Sequence, residues 1–427
     1  MMRFFSKLSM ALAFQLLLAV TLMAANYSFF GTTDKNPLEY QPGEEMIFTI
    51  QALCDGKPVD GVRVLWTRTG DDGEKAEGEA VSSASEPIVV KTSIKTPGFV
   101  YVFARAVDES GKPIPRDPLP TYCKNVEFYG GAGVLLDQIK GSPEPEDFDA
   151  YWARQKARLA EVPMEVEMVP VESGNPNVLC YDVKVKCLGA PVSGYLCLPK
   201  NAEPKSLKAS VSFHGYGFSG ANKPVGAGTN SIAFDVNAHG YLNGQPQEYY
   251  DNLSKTTLRG YGFSKTENET PETAYFNGMM LRVMRALQFV KSRPEWNGKD
   301  LLVSGGSQGG FQCISAAGLD SDVTECRANV AWCLDLAGAT KMNRLNGWRP
   351  EWTEALGYFD PANHAKRIHC RMVLSAGLGD YVCPPSGQMV LFNHLNCPKE
   401  LTFNQGCTHG YHMPDCPSFK LTNTEEK

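Results

Sequence analysis

The chain has 427 residues, 43% of them hydrophobic and 21% charged, with a formal net charge of −6. These are the proportions of a globular protein with a sizeable core, long enough for two domains. The mild acidity and the lack of clustered Lys and Arg exclude a nucleic-acid surface as its organising feature.

Residues 1–25 stand apart. Arg3 and Lys7 precede a nearly unbroken apolar run over 8–23, and Ala24-Ala25 offer a small-residue exit. That order predicts a secretory signal peptide and hence an exported (periplasmic or extracellular) protein. No later stretch approaches the length of a membrane span, so no membrane association is expected once the leader is removed. Thirteen cysteines in an exported chain permit disulfides. Cys54 with Cys123 and Cys383 with Cys407 are the candidate bridges, and the odd count leaves at least one thiol over. There is no C-x-x-C motif, so neither a zinc knuckle nor a thioredoxin-like site is expected.

Residues 26–129 read as all-β. The partly alternating segment 45–53 and the segments 62–66, 87–91 and 99–104 are strand candidates, with turn signals at Gly56-Lys57-Pro58 and Pro97-Gly98. Short strands at this spacing predict an immunoglobulin-like β-sandwich, acting as a spacer or assembly element. A proline-rich loop over 112–120 and the run Gly130-Gly131-Ala132-Gly133 mark the junction with a second domain, 130–427. In that domain helices are predicted over 148–159 and 272–291. Strand segments at 209–213, 231–236, 301–303, 328–333, 371–375 and 400–403 alternate with helical patterns. This predicts an α/β domain with a mostly parallel sheet.

The chemistry centres on Gly305-Gly306-Ser307-Gln308-Gly309, a G-x-S-x-G turn between a strand and a helix start. Glycines let strand and helix approach around a strained turn that lifts the serine hydroxyl above the sheet edge. A serine hydroxyl needs a base and an acid to orient the base. Strand 371–375 runs into Asp380, and strand 400–403 runs into His409, so acid and base arrive in the order Ser, Asp, His at strand ends. Asp335 is the rival acid and His412 the rival base. His214-Gly215-Tyr216-Gly217, after strand 209–213, is placed to present backbone N–H groups to a developing oxyanion. The expected donors are the N–H groups of Tyr216 and of Gln308, the residue after the nucleophile.

His214-Gly215-Tyr216-Gly217, Gly305-Gly306-Ser307-Gln308-Gly309-Gly310, Gly379-Asp380 and Thr408-His409 resemble the acetyl xylan esterase and cephalosporin C deacetylase family of α/β hydrolases. The segment Phe148-Asp149-Ala150-Tyr151-Trp152 is also similar to that family's N-terminal helix. The resemblance covers the chain from about Val134 onward and leaves out the β-rich part. It implies an α/β-hydrolase fold, hydrolysis of O-acetyl esters of oligo- or polysaccharides through an acyl-enzyme, and a ring-shaped homo-oligomer; the serine mechanism itself needs no metal or cofactor. Two positions depart from the family: after Asp235 the chain reads Val236-Asn237-Ala238-His239-Gly240 where an Arg-Gly pair is usual, and Gly410 follows His409 where glutamate is usual. Between strands, the segment 337–368 with Trp348, Trp352 and Tyr358 is a candidate cap. The rival readings are a serine peptidase of the prolyl-oligopeptidase type and a non-catalytic glycan-binding protein.

Overall fold

A computed structural model describes residues 26–119 and 122–423; the expected signal peptide lies outside them. The N-terminal part holds eight strands: β1 (Tyr27–Thr33), β2 (Met46–Cys54), β3 (Lys57–Pro58), β4 (Arg63–Gly70), β5 (Ala76–Val81), β6 (Ile88–Thr92), β7 (Gly98–Val107) and β8 (Glu127–Val134). They form two antiparallel sheets, one with β2 at its centre between β1 and β3/β6, the other in the order β5-β4-β7-β8. In β2 the alternation is plain: Met46, Phe48 and Ile50 are buried, while Ile47, Thr49 and Gln51 are only half-buried. Period two puts the first set into a core shared by both sheets, with Phe29, Val64, Val102 and Phe128.

The second part is built on a ten-stranded sheet. Its strands are β9 (Val166–Val171), β10 (Val178–Val185), β11 (Val192–Pro199), β12 (Leu207–Phe213), β13 (Ile232–Asn237), β14 (Trp296–Gly306), β15 (Glu325–Asn329), β16 (Arg371–Gly377), β17 (Lys399–Asn404) and β18 (Ser418–Asn423). The order is β18-β17-β16-β15-β14-β12-β13-β11-β10-β9. From β13 through β17 the pairing is parallel. The edges β9–β11 and β18 are antiparallel, so the sheet is mixed. The helices are α1 (Phe148–Ala160), α2 (Gln247–Lys255), α3 (Tyr275–Lys291), α4 (Gln308–Leu319), α5 (Gly338–Met342) and α6 (Pro385–His394). α3 and α4 are buried nearly throughout, since they lie between the sheet and further chain. The strand expected over 328–333 is displaced: β15 ends at Asn329, and Val330 and Cys333 take positive φ as the chain turns toward the site. Among the described residues no helix is long and apolar enough to cross a membrane.

The glycine run 130–133, expected to mark the domain junction, lies within β8, every residue of which is buried. The glycines serve close approach. A Cβ on Gly131 would fall on the Leu378 carbonyl oxygen, and one on Gly379 would fall on the Tyr129 carbonyl oxygen. Gln405 completes this seam: its Oε1 accepts from the Gly131 N–H and its Nε2 donates to the Gly131 carbonyl, each at 2.9 Å. The β-rich part is therefore locked, backbone against backbone, to the loop that carries Asp380.

Candidate active site

Ser307 sits between β14 and α4 with φ 55° and ψ −119°, a strained conformation for a residue with a Cβ. Its surroundings hold it there. The Ser307 N–H donates to the Asn329 carbonyl at 2.9 Å, and its carbonyl accepts from the N–H groups of Phe311 and Trp332 at 3.0 Å. Gly309 is required at the turn, because a Cβ there would collide with the Phe213 carbonyl of β12.

The loop after β16 brings in Asp380 and the loop after β17 brings in His409. His409 Nε2 lies 3.1 Å from Ser307 Oγ, and His409 Nδ1 lies 3.0 Å from Asp380 Oδ2. With Nδ1–H donating to the carboxylate, Nε2 is left to accept the serine proton. Asp380 is buried, and its Oδ1 accepts from the Val382 and Cys383 N–H groups, both at 2.8 Å. Those donors fix the carboxylate's direction and stabilise its charge. The rivals are elsewhere: Asp335 is buried in an ion pair with Arg344, and the imidazole that reaches Ser307 belongs to His409, not His412.

The His214–Gly217 loop lies beside the elbow: a Cβ on Gly215 would be 3.8 Å from Ser307 Cβ. Gln308 opens α4, so its N–H has no carbonyl one turn back. Side chains that sequence reading did not single out hold this loop. Gln312 Nε2 donates to the His214 carbonyl at 3.1 Å. The Tyr261 hydroxyl donates to Gln308 Oε1 at 3.0 Å and accepts from the Gly217 N–H at 3.2 Å. The His214 ring bonds Asp235, which also accepts from Ser212 Oγ and the Asn222 N–H.

A match to the acetyl xylan esterase (AXE1) family spans residues 135–420. The chain belongs to that family. It is a carboxylic ester hydrolase. Acetyl esterase Axe7A of Xylanibacter ruminicola is 26% identical over 417 residues, an alignment covering 92% of this chain and 91% of that one. Among solved structures, the acetyl xylan esterase from Paenibacillus sp. R4 is 27% identical with a TM-score of 0.53, covering 65% of this chain and 93% of that one. Acetyl xylan esterase 1 from Thermoanaerobacterium sp. JW/SL YS485 is 25% identical with a TM-score of 0.52, at the same coverages.

At the departure from the family's Arg-Gly pair stands His239, buried under the loop. Its Nε2 lies 2.7 Å from the Gly217 carbonyl and its Nδ1 lies 2.6 Å from the Tyr275 hydroxyl. The Gly217 carbonyl can only accept, so Nε2 carries a proton; in the neutral ring Tyr275 donates to Nδ1. Burial, with Arg282 and His214 nearby, lowers its pKa to about 4. A depressed folded-state pKa means that this group's stabilisation is complete above the unfolded value of about 6.5 and is lost as pH falls toward about 4. His239→Gln keeps an N–H donor and removes the titration. It is expected to flatten the acid limb of the stability curve by on the order of 3 kcal/mol, read by urea unfolding between neutral pH and about pH 4.

Above Ser307 opens a cavity of about 530 Å³, lined by Gly215, Tyr216, Asn329, Trp348, Tyr381 and His409 among others. Tyr122 and Cys123, on the loop between β7 and β8, also line it. The β-rich part thus supplies pocket residues and is more than a spacer. The contact is direct: Tyr122 lies against Gly410, and Arg116 donates to the Tyr411 hydroxyl at 2.6 Å while covering its ring. Of the three aromatics in the expected cap, Trp348 rims the pocket and packs edge-on against Tyr216. Tyr358 instead packs on Phe148 and Tyr151 of α1, and Trp352 packs against the main core. Neither candidate disulfide is formed, since all thirteen cysteines are unpaired thiols. Cys123 faces the pocket while Cys54 ends β2, and Cys383 faces Asp380 while Cys407 faces Cys416.

Proposed function

We propose that this protein removes O-acetyl groups from carbohydrate through an acyl-enzyme on Ser307. The observation that carries the reading is the Ser307–His409–Asp380 chain of hydrogen bonds at a strained elbow, in a member of the acetyl xylan esterase family. Ser307 Oγ attacks the acetyl carbonyl as its proton passes to His409 Nε2, and Asp380 holds the resulting imidazolium. The backbone N–H groups of Tyr216 and Gln308 receive the oxyanion. His409 then protonates the departing sugar hydroxyl. Water, deprotonated by His409, attacks the acetyl-serine carbonyl; His409 returns that proton to Ser307 Oγ as acetate leaves.

Two companion readings have their own support. The leader pattern of residues 1–25 supports export. The split of the strands into β1-β2-β6 and β5-β4-β7-β8 supports an immunoglobulin-like sandwich, whose boundary falls after Val134.

The test is acetate release across a panel of acetylated xylans, mannans and oligosaccharides. Release from at least one is expected; hydrolysis of longer acyl esters with no acetate from any acetylated glycan overturns the reading. The exposed rings of Tyr122 and Tyr381 are placed to stack on sugar beside the scissile ester. Tyr122→Ala and Tyr381→Ala are each expected to raise KM for acetylated oligosaccharides by roughly tenfold, the worth of one aromatic contact. The kcat/KM for p-nitrophenyl acetate, which has no sugar, stays unchanged.

A further inference from the structure

Around His409 the chain gathers three metal-ligating side chains that the hydrolytic chemistry does not use. The sulfurs of Cys407 and Cys416 and a ring nitrogen of His412 all lie within 4.8 Å of one another. We propose that Cys407, His412 and Cys416 form a binding site for a zinc-type divalent metal ion that braces the turn carrying His409.

The backbone builds this cluster. Thr408 and Tyr411 exchange both of their backbone hydrogen bonds, at 3.0 and 3.1 Å, closing a tight turn that sets Cys407 beside His412. The chain then reverses: the Cys416 N–H donates to the Met413 carbonyl at 3.2 Å, and Asp415 takes a left-handed φ of 54°. Cys416 is thereby returned to Cys407. Two sulfurs and one imidazole suit zinc, whose bonds of about 2.3 Å to sulfur and about 2.0 Å to nitrogen would draw these ligand atoms to within about 4 Å of one another. Cys407 is buried, Cys416 half-buried and His412 exposed, which leaves an entry path and a fourth position for water.

A second group, Asp380, Cys383 and His409, is equally compact. There the carboxylate and imidazole are already committed to each other, to Ser307 and to backbone N–H groups. The first cluster is also placed to matter. The Cys407 carbonyl accepts from the Gly379 N–H at 3.0 Å, next to Asp380. An ion held by Cys407 and His412 grips both ends of the turn that offers His409 to that carboxylate. It takes no part in bond making.

The test uses the full chain, reduced, stripped with chelator and then loaded with zinc or cobalt. About one equivalent of zinc per chain is expected after desalting, and the cobalt form is expected to show a thiolate charge-transfer band and the visible bands of a tetrahedral ion. Zinc raises the melting temperature. His412→Ala and Cys416→Ser each weaken binding by at least about tenfold, abolish or shift the charge-transfer band, and lose the zinc-dependent rise in melting temperature. Cys383→Ser binds as the parent does. No bound metal in the parent overturns the proposal, as does unchanged binding in both ligand variants or loss of binding in Cys383→Ser. A Cys407–Cys416 disulfide in the isolated protein, with no metal taken up after reduction, overturns it equally.

Discussion

Ser307→Ala is expected to lower kcat for acetate release by on the order of 10⁴–10⁶-fold while leaving KM within a fewfold, because the nucleophile is lost and the pocket is not. Asp380→Asn should approach the same loss, at about 10⁴-fold, by a different route: a neutral amide in place of the carboxylate no longer enforces the Nδ1–H tautomer that frees Nε2 for the serine proton. Stability separates the elbow from an ordinary serine turn. Ser307 keeps a Cβ at φ 55° only because Asn329, Phe311 and Trp332 hold its peptide groups. Ser307→Gly should therefore be more stable than Ser307→Ala by about 1 kcal/mol, although both are inactive. Retained acetate release in either variant, or equal stability of the two, contradicts the elbow assignment.

The elbow, the acid and the base were legible because each is a local event. G-x-S-x-G is contiguous, and Asp380 and His409 each follow a short apolar strand that sequence alone reveals. What stayed hidden depends on distant packing. β11 reads Val-Ser-Gly-Tyr-Leu-Cys-Leu-Pro and is buried on both faces, so it shows no alternation. β9 reads Val-Glu-Met-Val-Pro-Val, but it is a mostly exposed edge strand, and Pro170 argues against a strand in sequence. His239 and Gln312 look like any polar residues until the fold sets them under the His214–Gly217 loop. Glycine misled most. In sequence, Gly130-Gly131-Ala132-Gly133 reads as a break, because glycine frees the backbone. In the fold the same residues permit contact, because glycine has no Cβ. Sequence cannot distinguish the two uses, since the partner backbone at Leu378 lies 247 residues away.

That seam makes the second large prediction. Gly131 is paired with Tyr101 inside β8, so it has little freedom to move. A Cβ there is driven into the Leu378 carbonyl, which belongs to backbone and cannot swing aside as a side chain does. The softer partner is the loop at 378–380, and its displacement carries Asp380 away from His409. Gly131→Ala is therefore expected to cost about 1–3 kcal/mol of stability and about 10²-fold in kcat, the penalty of misplacing a catalytic group by roughly an ångström. The loss should appear equally with p-nitrophenyl acetate and with acetylated glycan, because it reaches the relay and not the sugar-binding rim. Gly226→Ala is the matched control: a Cβ there meets nothing within 4 Å, and both properties should hold. Full activity in Gly131→Ala would mean that the β-rich part touches the site only through its pocket residues. A selective loss of kcat would mean that its docking sets the position of the catalytic acid.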